Sequence, residues 1–417
     1  MRRLLVAAML VLAGCGSGSV AGQGDHGYRL FVERMGSSGV DVVTTSPAIR
    51  VSLPAGFLTA DGTQLYGSGG QVFGGASGPT GVTKVDIFDT STGALARKVE
   101  VAGSWTWDGG GTSPDGRWLV LTASQSATSG NFLVLDTGIT GKQYPVSLGG
   151  HFNFDAISND GRHLYLIETL AGSAYRVRVY DVFAKTLQPG AVLIKGPEVE
   201  AMNGYKITAV ADPIGHMLYS LYGRNDGRPP FVHALDLEAG IAFCIDLPAI
   251  DAMEPTYANA GSSGWALSLD YSDHRLYASS SLGQLVAIDT NQNSVVRSAA
   301  ISAPAVTSLL PPFVVDVQAK EFDAHPAASA VDPAGRWLYV AWESGFLTVD
   351  TSSLRPVALR DRGDVLSSLA TSPDGRHLFG VIRFGVLADL NPQTGNRQAT
   401  IASVATPWRI LRVEAIP

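Results

Sequence analysis

The chain has 417 residues, 47 of them Gly and 22 Pro, with 45% hydrophobic and only 16% charged side chains. That balance excludes a disordered chain, which needs high charge and few apolar residues, and describes a strand-and-turn protein with a large core. A formal net charge of −7 argues against nucleic acid as a partner, because phosphate binding draws on clustered Lys and Arg.

Residues 1–14, MRRLLVAAMLVLAG, place Arg2 and Arg3 before an apolar run from Leu4 to Leu12, then small residues ahead of Cys15. The run is too short to span a bilayer as a mature helix, and its order is that of a secretory signal. Leu12-Ala13-Gly14-Cys15 resembles the bacterial lipobox. The resemblance implies cleavage before Cys15, acylation of that cysteine and attachment to a membrane through the lipid. Residues 15–27 are then the lipidated cysteine and a flexible Gly- and Ser-rich tether, and 28–417 a single domain. The expected location is the bacterial cell envelope, facing the periplasm or the exterior. Gly16 stands where an Asp would favour inner-membrane retention, which leans toward the outer membrane. With Cys15 lipidated, Cys244 in AFCIDLP has no disulfide partner and reads as a buried inert thiol, since no basic sequence neighbour would lower its pKa.

From residue 59 onward a degenerate stretch recurs seven times: TADGTQLYGS at 59, TSPDGRWLVL at 112, SNDGRHLYLI at 158, ADPIGHMLYSL at 211, LDYSDHRLYAS at 269, VDPAGRWLYVA at 331 and TSPDGRHLFGV at 371. Each holds a tight turn between two apolar runs: Pro pre-sets φ, Asp caps its own backbone, and Gly accepts the positive φ that closes a hairpin. A second signature follows each copy, a strand ending in Asp at Asp89, Asp136, Asp181, Asp236, Asp289, Asp350 and Asp389. A fourth short strand, such as RKVEVAG, comes after it. Four antiparallel strands every 40 to 61 residues are the mark of a β-propeller blade.

The N-terminal piece YRLFVERMGSSGVDVVTTSPAIRVSLP matches the last three strands of a blade, and the C-terminal PWRILRVEAIP supplies the missing first strand. The fold expected is therefore all-β, a propeller of eight four-stranded blades with one blade split between the termini. Seven blades, with the terminal strands absorbed differently, is the alternative. The P-D-G-R-x-L turn and the D-t-x-t-G turn together resemble the YVTN-repeat and methylamine-dehydrogenase heavy-chain type of propeller over nearly the whole mature chain. That neighbourhood implies one of three roles: a non-catalytic scaffold for a protein or small ligand, a lactonase-like hydrolase with its site at the channel mouth, or a subunit of a periplasmic amine or alcohol dehydrogenase. Quinoprotein alcohol dehydrogenases carry a docking Trp after the D-x-x-T-G turn; here those places read KVEV, QYPV and RQAT, so no quinone cofactor is expected.

Innermost strands line the channel of a propeller, and counting back from each turn glycine collects the residues at its mouth. Trp107 and Asp108, His151 and Asn153, Tyr205 and Lys206, Trp265, His325 and Arg409 fall there, with Asp323 from the long 302–327 connection. These are the candidate ligand-binding residues. Trp118 and Trp337 directly follow the turn Arg and read as interblade core. His151 and His325 occupy the same repeat position three blades apart, too far for one ion unless the channel is narrow, so no metal is expected. His163, His216, His274 and His377 follow turns and read as solvent-facing. No G-x-S-x-G or H-E-x-x-H motif is present. The reading is a monomeric, lipid-anchored binding propeller without catalytic residues.

Overall fold

In the computed structural model, the described residues are 27–37, 39–67, 81–123, 128–138, 141–171, 174–192, 201–224, 228–249, 264–302, 327–361, 363–383, 385–401 and 406–416. The signal, Cys15 and most of the tether lie outside them, as do Asp323 and His325. Strands dominate, and a short 3-10 turn stands at Met35–Ser37. They form eight separate antiparallel sheets.

Blade 1 is the split one: Pro407–Ala415 is its innermost strand, followed outward by Tyr28–Arg34, Val40–Thr44 and Arg50–Leu53. Blades 2 to 8 follow in chain order, with innermost strands Gly56–Leu58, Thr106–Thr112, Phe152–Ile157, Tyr205–Ala211, Trp265–Asp270, Ser329–Val331 and Leu366–Thr371. Blade 4 gains a short fifth strand, Met202–Asn203, on its third strand. The chain is thus an eight-bladed β-propeller, and the seven-blade alternative is set aside. The N-terminal piece gives three outer strands and the C-terminal piece one inner strand, as the sequence predicts.

Both faces of each sheet pack on a neighbouring blade. Middle strands therefore read as unbroken apolar runs, as in Trp118–Thr122, where every residue is buried. Eight hydrophobic clusters result, each filling one interblade seam. Closure of the ring rests on the cluster in which Tyr28, Leu30, Val32 and Ile410 of blade 1 meet Phe379, Val381 and Leu387 of blade 8. Polar links add to it: the Tyr28 hydroxyl donates to Asp374 Oδ2 at 2.8 Å, and the Ile410 amide donates to Ser368 Oγ at 3.1 Å.

The two TSPDGR copies fold identically. Ser113 Oγ donates to Asp115 Oδ1 at 2.5 Å and accepts the Trp118 amide at 2.9 Å, and Ser372 does the same with Asp374 and His377 at 2.6 and 3.0 Å. Gly116 and Gly375 both take positive φ, 74° and 71°. The turn Arg and the strand-ending Asp prove to be partners. Arg117 pairs with Asp136 at 3.3 Å, Arg162 with Asp181 at 2.8 Å and Arg275 with Asp289 at 2.6 Å, while the same carboxylates accept the amides of their own turns. Two expectations are corrected in blade 8. Its turn is capped by Asn391, which accepts the amides of Gln393 and Thr394 at 2.9 Å, whereas Asp389 lies within the strand, two residues earlier. Asp389 instead meets His377 Nδ1 at 2.9 Å, so His377 is a partnered, mostly buried ring and not a solvent-facing one. His216 and His274 are exposed or nearly so; His163 is half-buried.

Two tests follow from these turns. Gly161 has φ of 72° and lies flat against the Trp118 indole, so a Cβ there would fall inside the ring; Gly190, at φ 80°, has open space around its position. Gly190→Ala should cost only the left-handed backbone penalty, about 1–2 kcal/mol, and Gly161→Ala clearly more, read from urea denaturation midpoints. Asp89 and Asp350 are held below the ordinary carboxylate range by the hydroxyls of Ser91 and Ser352 and by their neighbours. Because their folded pKa values are depressed, the stability they contribute is present above a pH of about 4 and is lost as pH falls further. Replacing both by Asn should flatten the acid limb of the urea midpoint against pH.

Candidate functional site

All innermost strands run in the same direction, since each is entered from an interblade crossover, so their first residues gather at one end of the channel. Phe152, Tyr205, Trp265, Leu366 and Pro407 mark that end. Adjacent inner strands are tied to one another along the wall: Ser268 Oγ and Ser329 Oγ lie 2.7 Å apart, and Thr371 Oγ1 donates to the Val331 carbonyl at 2.9 Å.

The candidate residues divide between two environments. Tyr205 is 41% exposed, Asn153 is exposed and His151 half-buried, its carbonyl accepting the Thr169 amide at 2.9 Å. Arg409 is exposed and pairs with Glu33 at 2.9 Å, beside a cleft of about 480 Å³ formed by Glu33, Val40, Phe57, Thr112, Leu411 and Arg412. Trp107 and Trp265 are not mouth residues. They are 2% and 4% exposed and pack in the seams of blades 2 and 3 and of blades 5 and 6, because the strand alternation turns these two positions onto the sheet face. Trp118 is core, as expected, and Trp337 packs half-buried on the seam of blades 7 and 8. Asp108 lies in the innermost strand of blade 3.

Lys206 joins a residue that the sequence did not single out. Its Nζ lies 3.0 Å from Oδ1 of Asp155, one strand over on blade 4. The Asp155 side chain is buried and its Oδ2 has no hydrogen-bond partner. Behind this pair, in the same seam, Tyr175 and Tyr222 stack with ring centroids 5.4 Å apart, Tyr222 meets His233 edge-on, and both hydroxyls and His233 Nε2 are buried without partners. Four such atoms thus gather in one seam, where most buried polar groups of a folded protein would have a partner. Burial drives both phenols well above their ordinary pKa and pushes the His233 ring down to about 4, so the imidazole is neutral near pH 7. Register exposes what the sequence reading missed. His233 and Cys244 are equally far from the Asp236–Ile241 hairpin end and are direct cross-strand partners. Counting from that turn would have paired them.

A cleft of about 1120 Å³ lies away from the mouth, between blades 8 and 1, and includes Tyr28, Thr45, Asp374, His377, Asp389 and Gln398. It is a lateral groove at the closing seam.

No family model and no curated protein sequence matches the chain. Solved structures do resemble it. Apo AztD from Citrobacter koseri is 12% identical, with a TM-score of 0.54, over 94% of this chain and 98% of that one. The dihydro-heme d1 dehydrogenase NirN in complex with DHE is also 12% identical, with a TM-score of 0.50, over 89% of this chain and 72% of that one. At such identity these likenesses show the propeller fold alone.

Lys206→Met leaves the Asp155 carboxylate buried without its cation and should destabilise the chain by about 1–3 kcal/mol. Adding Asp155→Asn should recover part of that loss, because the second change removes the uncompensated charge; a double-mutant cycle of urea midpoints reads the coupling.

Proposed function

We propose that this protein is a lipid-anchored β-propeller of the bacterial cell envelope that acts as a non-catalytic scaffold, holding a protein or small-molecule ligand at its channel mouth. The observation that carries this reading is the division of labour at the mouth. Among the described side chains, Lys206 pairs with Asp155 and Arg409 with Glu33, while Tyr205 and Asn153 stand exposed on rigid strand starts. Paired charges fix the rim, and exposed aromatic and amide groups supply contact surface at low entropic cost. Support for the envelope placement comes from the sequence, whose Arg2-Arg3, Leu4–Leu12 and LAGC order would deliver Cys15 for acylation.

A thermal-shift panel of lactones, sugars, amines, calcium and zinc tests the scaffold reading on the chain carrying Cys15→Ser. A ligand present at 100 times its dissociation constant should add about 2.7 kcal/mol of stability. The expected outcome is a shift that disappears in the Tyr205→Ala/Asn153→Ala variant while the ligand-free midpoint stays unchanged. A shift indifferent to both substitutions moves the site off the mouth, and turnover of any panel compound ends the non-catalytic reading.

A further inference from the structure

In the seam between blades 4 and 5, Cys244 Sγ lies 3.8 Å from Met202 Sδ and 3.8 Å from His233 Nδ1. Three elements converge there: the outermost strand of blade 5 brings Cys244, the strand next to it brings His233, and the short Met202–Asn203 strand, crossing back onto blade 4, brings Met202. The crossover is held close by Gly204, whose φ of 136° lets its backbone run against the Gly223 carbonyl. His233 is 1% exposed; its Nδ1 faces the Cys244 thiol, and its Nε2 has no hydrogen-bond partner. Cys244 is only half-buried.

We propose that Met202, His233 and Cys244 form a binding site for a soft monovalent cation, Cu(I). Metal–sulfur bonds of about 2.3 Å and metal–nitrogen bonds of about 2.0 Å set ligands around one three- or four-coordinate ion about 3.6–4.0 Å apart. Both contacts at Cys244 already have that spacing. The donor set chooses the ion: a thioether beside a thiolate and an imidazole selects Cu(I), whereas calcium and magnesium need oxygen donors. Among the described residues no three His, Cys, Asp or Glu side chains come together, so the third ligand here is the methionine. Binding involves no change of oxidation state. The Cys244 thiol gives its proton to solvent as the Cu–S bond forms, and the neutral His233 ring donates a lone pair. The stacked Tyr175 and Tyr222 rings and the side chains of Val177 and Phe231 wall the seam against water, which favours the reduced ion.

Titration of Cu(I) under anaerobic conditions, in competition with a chromophoric chelator, tests the site on the full chain carrying Cys15→Ser, so that Cys244 is the remaining thiol. One tightly held Cu(I) is expected, with X-ray absorption showing two sulfur scatterers and one nitrogen. Met202→Leu should weaken binding by more than the roughly 10–100-fold that loss of an outer partner costs, and Cys244→Ser should abolish it, with far-UV dichroism confirming the fold. Retention of Cu(I) with equal affinity by Met202→Leu would mean binding by the thiol alone and would overturn the proposal. The absorption spectrum of the unsubstituted Met202-His233-Cys244 seam decides the matter even if a variant misfolds: a single-sulfur shell, or no bound Cu(I), overturns it as well.

Discussion

Apolar packing between blades is the interaction on which the rest of this structure depends. A four-stranded sheet alone has two hydrophobic faces and two open edges, and none of the eight sheets here could stand in water by itself. Each face becomes stable only against the next blade, so burial propagates around the circle until the last blade needs a partner. That partner is assembled from the two ends of the chain. The Tyr28, Leu30 and Val32 face meets Phe379 and Val381, and the innermost strand Pro407–Ala415 pairs with Tyr28–Arg34 through a ladder running from Arg34 opposite Pro407 to Tyr28 opposite Ala415. Ring closure thus couples the stability of every seam to contacts between residues nearly four hundred positions apart.

The repeated polar residues serve this packing. Asp136 both caps its turn and receives Arg117, while the Arg117 guanidinium lies over the Trp118 ring at 5.2 Å and the Trp118 indole donates to the Asn159 carbonyl of the next blade at 3.0 Å. One unit of sequence therefore sets a turn, an ion pair and an interblade contact together. Where the pattern slips, as at Asn391 and Asp389, capping passes to the amide side chain and the carboxylate is released to a different partner, His377. Capping requires an oxygen acceptor at the turn start, and Asn meets that need as well as Asp does.

The seam between blades 4 and 5 gathers polar groups. Asp155, Tyr175, Tyr222 and His233 each bring a buried polar atom without a hydrogen-bond partner to it. An unsatisfied buried polar group costs about 1–3 kcal/mol, so a seam that carries several is held against the general preference of the fold. From the channel side it presents the Lys206–Asp155 pair, and it also holds the half-buried Cys244.

Architecture was legible in the sequence because it rests on local, repeated chemistry. The Pro-Asp-Gly turns and the apolar runs between them act within ten residues of one another, and eight blades with a split closing blade followed from counting them. The mouth was only partly legible. Repeat position and the C-terminal strand located Asn153, Tyr205, Lys206 and Arg409 on the inner strands, and His151 just ahead of one, but could not say that Trp107 and Trp265 turn into the seams, since that depends on which sheet face meets a neighbour. Nor could it bring Asp155 to Lys206, or Met202 to Cys244, because those pairs span separate blades and are decided by how one sheet is rotated against the next. Sequence by itself determined the turns, the strands and their number; only tertiary packing decided which polar side chains share a seam, because burial between sheets is a property of two blades at once.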